Sequence, residues 1–387
     1  MVQFHPLPVF FEKINLVKLI LNISDRSVFV VIRILNIVKM ENKRESLSIH
    51  PCNHIAISHN NKVLRILVTG ATGFVGSHIV EELISKNHSI IATTRKNSNL
   101  RWIKNLPIQF EYCSLNDEQQ LSSIVSKVDI IVHCAGAVRA LSWEEYYKTN
   151  VIGTQKLVKV AIKNKNSIKK FIYVSSQAAM GPSKTKNPRN LTEKENPISN
   201  YGKSKLLAEQ EVKKLNGIIP YTIIRPASVY GPRDKDIFIF FNLVKHHLKP
   251  KTYSKRYIQL VFVKDVAKII SLALNNPKTN NKIYYLCDGN IYSWADVSTI
   301  IARTSSVKTI TIILFDFIFK FIACFYEFVA KIVKKPQVLS KEKIVEMLQT
   351  YWIADNTDII KDTNFKFEKL ENGAKITYNW YTNNKWF

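Results

Sequence analysis

Leu64-Arg-Ile-Leu-Val-Thr-Gly70-Ala-Thr-Gly73-Phe-Val-Gly76 is an apolar run that meets three evenly spaced glycines and then turns into a helical pattern starting at Phe74. Strand, glycine turn and helix in direct succession describe the first unit of a parallel sheet, its helix N-terminus aimed at an anion. Gly70 permits the sharp exit from the strand. Gly73 lets the backbone approach a pyrophosphate, and Gly76 lets the helix lie close on the sheet. The turn and the free N–H groups of the helix start make Gly70, Thr72, Gly73, Phe74, Val75 and Gly76 a candidate phosphate cradle.

The alternation continues outward from this stretch. Strand-like runs occupy Leu64–Thr69, Ser89–Thr94, Ile108–Tyr112, Asp129–His133, Lys170–Ser175 and Tyr221–Arg225. Helical periods fill the gaps at Phe74–Lys86, Asp117–Lys127, Glu144–Lys163 and Tyr201–Leu215. Such βαβα order implies an α/β chain: a Rossmann-type, doubly wound parallel sheet over 63–230, with the ligand site where the loops leave the strand C-termini. After Gly231 the rhythm becomes mixed, so 231–387 reads as a smaller, mainly substrate-binding lobe. Lys282–Cys287 looks like a further buried strand, which would interleave that lobe with the sheet.

Residues 1–62 read differently. Apolar stretches between Phe10 and Met40 are broken by Lys13, Lys18, Asp25, Arg26 and Arg33, so no run is long enough to span a bilayer. No small-residue cleavage site follows a compact apolar stretch either. Met40 opens Met-Glu-Asn-Lys-Arg, a candidate start, and the expectation is that much of 1–62 is a dispensable extension.

The formal net charge of +26 raises the question of nucleic acid. The lysines are scattered among Asn and Ile, with no arginine-rich arm or aromatic-interleaved stripe, so no nucleic-acid partner is expected. Cys52, Cys113, Cys134, Cys287 and Cys324 are odd in number and lack any C-x-x-C pair, which fits reduced thiols in the cytoplasm. His50, Cys52, His54 and His59 match no standard zinc spacing, and no metal is expected.

The strand after the first helix ends Thr93-Thr94-Arg95-Lys96. A carboxylate about 20 residues past the glycines would hold the ribose 2′-hydroxyl of NAD. Arg95 and Lys96 would instead pair with a 2′-phosphate, so NADP is preferred over NAD. Further on, Tyr201-Gly-Lys-Ser-Lys205 puts a phenol and an ammonium four residues apart on one helix face. The ammonium is expected to lower the Tyr201 pKa towards neutrality, so that the phenol exchanges a proton with an alcohol or ketone oxygen. A serine at the end of the central strand, in Phe171-Ile-Tyr-Val-Ser175-Ser176, can hydrogen-bond the same oxygen.

At these residues the chain resembles the extended short-chain dehydrogenase/reductase family, of the NAD-dependent epimerase/dehydratase type, from roughly Leu64 to its C-terminus. The ordered blocks are the glycine turn, His133-Cys-Ala135-Gly136, Asn150-Val-Ile-Gly-Thr154, the Ser175-Ser176 strand end, Tyr201-x-x-x-Lys205, and Arg225-Pro226-Ala-Ser-Val-Tyr-Gly231-Pro. The resemblance implies Ser176, Tyr201 and Lys205 as a catalytic triad, and Asn150 as the asparagine that helps hold the lysine in a proton relay. It also implies Ala135, Gly136 and Pro226 beside the cofactor. Two blocks depart from the family pattern: Cys113-Ser114-Leu115 stands where Gly-Asp-Leu is usual, and Tyr253–Asp265 replaces a glycine-rich turn.

The function expected is an NAD(P)-dependent oxidoreductase moving a hydride between nicotinamide and an alcohol or ketone carbon. Two alternatives stand beside it: a nucleotide-sugar epimerase or dehydratase using bound NAD, and a non-catalytic NADP-binding regulator. Asn97-Ser-Asn-Leu-Arg-Trp102 is similar to dihydroflavonol-reductase-like and 3β-hydroxysteroid-dehydrogenase-like members, which implies an apolar small-molecule substrate. Thr309–Val333 is read as an amphipathic helix that covers the cleft or rests on a membrane surface, or as an ordinary buried helix. Its length would also allow a transmembrane span, which the charges at Asp316, Lys320, Glu327 and Lys331 disfavour. By resemblance, the two long helices Glu144–Lys163 and Tyr201–Leu215 would form a homodimer face.

Overall fold

The computed structural model describes residues 63–317, 321 and 341–387. The glycine stretch forms β1 (Arg65–Thr69) and α1 (Phe74–Ser85), followed by β2 (Ser89–Thr94), β3 (Gln109–Tyr112), α2 (Glu118–Val125) and β4 (Ile130–His133). A short α3 (Trp143–Tyr146) runs through a π turn (Tyr147–Ile152) into α4 (Gly153–Lys163). β5 (Lys170–Val174), α5 (Asn200–Lys213) and β6 (Tyr221–Pro226) complete the alternating half. Glu144–Lys163, expected to be one continuous helix, is therefore widened at its middle.

The sheet has seven parallel strands in the order β11-β6-β5-β4-β1-β2-β3, with β11 spanning Lys282–Leu286. The order reverses between β1 and β4, and the loops after those strands splay apart there to leave a crevice. Strand alternation feeds two cores. Ile66 and Val68 of β1 join Ile79 and Leu83 of α1 and Ile269 and Ile270 of α7 (Val263–Ala273) on one face. Leu67 joins Leu157 of α4 and Val212 of α5 on the other. A fully buried side chain of this kind contributes about 1.5–3 kcal/mol, so helices on both faces are obligatory.

The second lobe holds β7 (Ser228–Tyr230), α6 (Phe238–Lys245), β8 (Leu248–Thr252), β9 (Tyr257–Ile258), β10 (Leu260–Phe262), β12 (Tyr292–Ser293) and α8 (Trp294–Thr304). It continues with β13 (Ile310–Leu314), α9 (Lys341–Met347), β14 (Tyr351–Trp352), α10 (Thr357–Thr363) and α11 (Leu370–Asn383). Its core is aromatic: Phe240 stacks on Trp294 at 4.5 Å, and Phe238 and Phe241 pack edge-on to Tyr381. The Tyr381 hydroxyl donates to the carbonyls of Gly231 and Asp234 at 3.1 and 2.9 Å, which fastens α11 to the start of the lobe.

The reading of Thr309–Val333 as a helix fails at its start. Ile310–Leu314 is a strand paired in parallel with Leu248–Thr252. Ile310, Thr311, Ile312 and Ile313 are β-branched, and in a pleated strand their χ1 restriction carries little cost. Residues 318–320 and 322–333 lie outside the described residues. So do 1–62, with His50, Cys52, His54 and His59. Among the described residues no helix is long and apolar enough to cross a membrane, and no cluster of three or more His, Cys, Asp or Glu could hold a metal ion.

Candidate active site

Gly70 adopts φ +72°, and a Cβ there would lie 2.6 Å from the backbone nitrogen of Ala135. A Cβ at Gly76 would lie 2.1 Å from the carbonyl oxygen of Gly70. The turn is thus wedged between the loop after β4 and its own helix. Gly73 differs, being exposed, and α1 begins there without a side-chain cap. The uncapped helix start looks into a cleft of about 1170 Å³ lined by Thr72, Gly73, Phe74 and Val75, and across from them by Ala135, Gly136 and Pro226.

At the end of β2 the buried hydroxyls of Thr93 and Thr94 have no hydrogen-bond partner, and both residues line the cleft. A tight turn follows: the Arg95 N–H donates to Ser98 Oγ at 3.1 Å, and the Ser98 N–H returns to the Arg95 carbonyl at 2.9 Å. Arg95 is exposed and lines the cleft, whereas Lys96 is outside its lining. Three lining residues had gone unnoticed as site members. Arg101 lies 4.2 Å and Arg233 4.8 Å from the Trp102 ring centroid, and Arg233 pairs with Glu81 of α1 at 2.5 Å. Nothing local in the sequence links Arg233 to Trp102. Partnerless hydroxyls, an uncapped helix start and an open glycine fit the pyrophosphate and ribose of a dinucleotide.

Tyr201 sits in the first turn of α5, whose N-cap Ser199 accepts from the Gly202 N–H at 3.0 Å. Ser176 leaves β5, caps the 3-10 turn Gln177–Ala179 and shares a side-chain hydrogen bond with Tyr201. Ser175 is committed elsewhere. Its hydroxyl donates to Glu209 at 2.5 Å, and Glu209 is gripped by Arg225 through bonds of 2.9 and 2.6 Å, all three being buried. Lys205 donates to the Val174 carbonyl at 2.7 Å and lies 4.3 Å from the Tyr173 ring centroid.

The expected lowering of the Tyr201 pKa is not what this geometry gives. Burial raises it, against the Ser176 hydrogen bond, and the Glu346 carboxylate raises it further. Burial also brings Lys205 down to about 8, with its ammonium directed at a backbone carbonyl. The phenol therefore stays protonated at neutral pH, ready to give a proton to a carbonyl oxygen.

Asn150 lies in the π turn. Its Oδ1 accepts from the Ala137 N–H at 2.6 Å, and its Nδ2 donates to the Ala137 carbonyl at 3.0 Å and to Ser204 Oγ at 2.8 Å. Those bonds brace the loop after β4 against α5, beside Lys205 and not upon it. Behind it runs a buried chain: Thr69 Oγ1 to His133 Nδ1 at 2.6 Å, His133 Nε2 to Thr154 Oγ1 at 2.9 Å, and Thr154 to the Asn150 carbonyl at 2.6 Å. Burial, then the Lys205 charge, hold His133 down to about 3, so this imidazole is neutral. Ser199 also donates to Glu346 of α9 at 2.6 Å, a contact across the whole second lobe that no local motif announces.

This crevice can be set against known proteins. An uncharacterised UDP-glucose epimerase of Bacillus subtilis is 30% identical over 237 residues, 55% of this chain and 73% of the relative. The decarboxylating sterol-4-alpha-carboxylate 3-dehydrogenase of Dictyostelium discoideum is 27% identical over 63% of this chain and 77% of its own. A ceramide reductase of Caulobacter vibrioides is 23% identical over 83% and 95%. Among solved structures, the UDP-glucose 4-epimerase of Thermotoga maritima superposes with a TM-score of 0.68 at 23% identity, covering 83% of this chain and 99% of that one. The family model for NAD dependent epimerases and dehydratases matches residues 66–287, and with the glycine turn, the reversal between β1 and β4 and the Tyr201 crevice it establishes that this chain belongs to the NAD dependent epimerase/dehydratase family.

Proposed function

We propose that the chain is an NADP-dependent reductase or dehydrogenase acting on an apolar alcohol or ketone. The observation that carries this reading is the course of the cleft. It runs from the phosphate turn past Ser176, Tyr201 and Lys205 to a wall of Ile239, Phe240, Leu243, Trp294 and Trp352. Two arginines along it are already engaged, Arg139 by Asp236 and Arg233 by Glu81, which leaves them poorly placed to greet a nucleotide diphosphate. A neutral, apolar substrate desolvates at far lower cost in such a wall.

The bound dinucleotide would supply the hydride donor or acceptor. It would be held by Gly70, Thr72, Gly73, Phe74, Val75 and Gly76 at the pyrophosphate, by Ala135, Gly136 and Pro226 along the cleft, and by Arg95, with Lys96 near it, at the 2′-phosphate. Tyr201 holds the proton that the substrate oxygen gains on reduction, and Ser176 hydrogen-bonds that oxygen. Lys205 offers its ammonium at the floor of the cleft, and Asn150 braces the loop beneath.

Titration of the purified chain with NADPH and NADH tests the cofactor choice, and a screen of ketones and sugar nucleotides for cofactor oxidation tests the substrate. NADPH is expected to bind about tenfold or more tighter, and Arg95→Asp to reverse the order. An unchanged preference in that variant removes Arg95 from the selection. The epimerase-like relatives favour a second reading, in which NAD survives purification and does not exchange with NADPH. We also propose a homodimer through α3, α4 and α5, cytoplasmic action, and a membrane surface as a peripheral partner of residues 309–333.

A further inference from the structure

β8 and β13 form a two-stranded parallel ribbon with Thr311 opposite Lys249, Ile313 opposite Lys251, and Ile312 and Leu314 opposite Pro250 and Thr252. Residues paired across a parallel ladder point to the same face, and faces alternate along each strand. From Thr311 to the end of the strand exposure follows that alternation: Thr311 and Ile313 are exposed, and Ile312 and Leu314 half-buried. Ile310 at the strand's start is exposed on the inner side, and Phe315 and Phe317, beyond the strand's end, are exposed as well. The inner face belongs to the enzyme, since Pro250, Thr252 and Leu314 line the cleft. The outer face carries Ile313, Phe315, Phe317 and Tyr253, with Tyr253 70% exposed. Tyr253 stacks on Phe315 at 5.1 Å, and Phe315 on Phe317 at 5.9 Å. Lys251 and Lys255 flank Tyr253 and are exposed, Lys249 is half-buried, and Lys308 is exposed at the other end of the ribbon. The acid of this stretch, Asp316, is taken by Arg256 at 2.7 Å.

We infer that this outer face docks on an anionic phospholipid bilayer, so that the ribbon is the wall between the membrane and the substrate cleft. Aromatic side chains in contact with one another on a flat face, ringed by unopposed lysines, match an interface that is apolar at its centre and negative at its rim. A protein partner would need complementary shape; a bilayer asks only for this order of apolar centre and basic edge. The docking surface deepens the membrane partnership proposed above. Its use, drawing an apolar ketone from the bilayer into the cleft, rests on the proposed reductase reading, but the surface itself can be tested without turnover.

The test is co-sedimentation of the full chain with vesicles of phosphatidylcholine alone or mixed with phosphatidylglycerol. Binding is expected only to the mixed vesicles and should weaken as salt rises. Lys249→Ser with Lys251→Ser should weaken it by about fivefold per lysine, and Phe315→Ser with Tyr253→Ser by about tenfold. Lys127→Ser with Lys165→Ser, on exposed lysines that follow α2 and α4 outside the ribbon, is the control and should change little. Unchanged melting temperatures certify the fold of each variant. Absence of binding to mixed vesicles overturns the inference. So does an equal loss in the control, which would mean diffuse charge, or self-association that Phe315→Ser disperses without any vesicle binding. Failure of the ketone screen with retained vesicle binding would sink only the proposed reaction.

Discussion

The two halves of this molecule build their parts of the site by opposite means. The sheet half supplies the phosphate turn, Ser176, Tyr201 and Lys205 from strand ends and helix starts, each fixed by backbone that the core immobilises. The second lobe supplies a wall of side chains from α6, β8, α8, β13 and β14, brought together only by tertiary packing. On the proposed function, chemistry would be anchored to the rigid element and selectivity to the wall assembled by packing.

This contrast can be broken by mutation, and the largest effect is expected at Tyr201. Tyr201→Phe should reduce kcat by about 10²–10⁴-fold while cofactor affinity, read by NADPH fluorescence, stays near that of the parent. Retained turnover would remove the phenol from its role. Next comes the buried Arg225–Glu209 pair, which ties β6 to the helix bearing Tyr201. Arg225→Met strands a carboxylate and should cost about 3–5 kcal/mol of stability in urea unfolding. A loss below about 1 kcal/mol would mean that the pair behaves like an exposed one.

In the lobe, Phe240→Ala removes one partner of the Trp294 stack. It is expected to raise KM for an apolar ketone by about tenfold or more with a smaller change in kcat, and a fall in kcat alone would move Phe240 from selectivity to positioning. The smallest effect concerns pH. Lys205 carries its charge below about 8 and loses it above. If that charge assists, the rate of ketone reduction should decline as pH rises through about 8, and in Lys205→Met that limb of the profile should vanish.

The sheet half was legible because its signals are local. Apolar strands alternate with helical periods, and each glycine of the first turn has a steric task visible from spacing alone. The π turn at Tyr147–Ile152 was not, because Lys148-Thr149-Asn150-Val151 carries no mark that separates a wide turn from an ordinary one. What sets it apart is the Asn150 amide reaching Ala137, a contact between elements. The Tyr201 pKa was misjudged for a related reason: helical spacing brought Lys205 to the right face but could not say that its ammonium turns to the Val174 carbonyl. In Thr309–Val333 the charge spacing outweighed the β-branched opening Ile310-Thr-Ile-Ile313, which is the part that pairs as a strand. The Glu346 contact with Ser199 joins residues 147 apart in sequence and leaves no trace in either neighbourhood.

The ribbon of β8 and β13 writes two vocabularies in alternating letters. Because their period is two, inserting a single residue at the start of β8 would exchange their meanings, swinging Lys249 and Lys251 towards the cleft and Pro250 and Thr252 towards water. Point substitutions can tune one vocabulary without disturbing the other; changes of length cannot. Variation in this wall is therefore confined to spelling, and indels must fall beyond its ends.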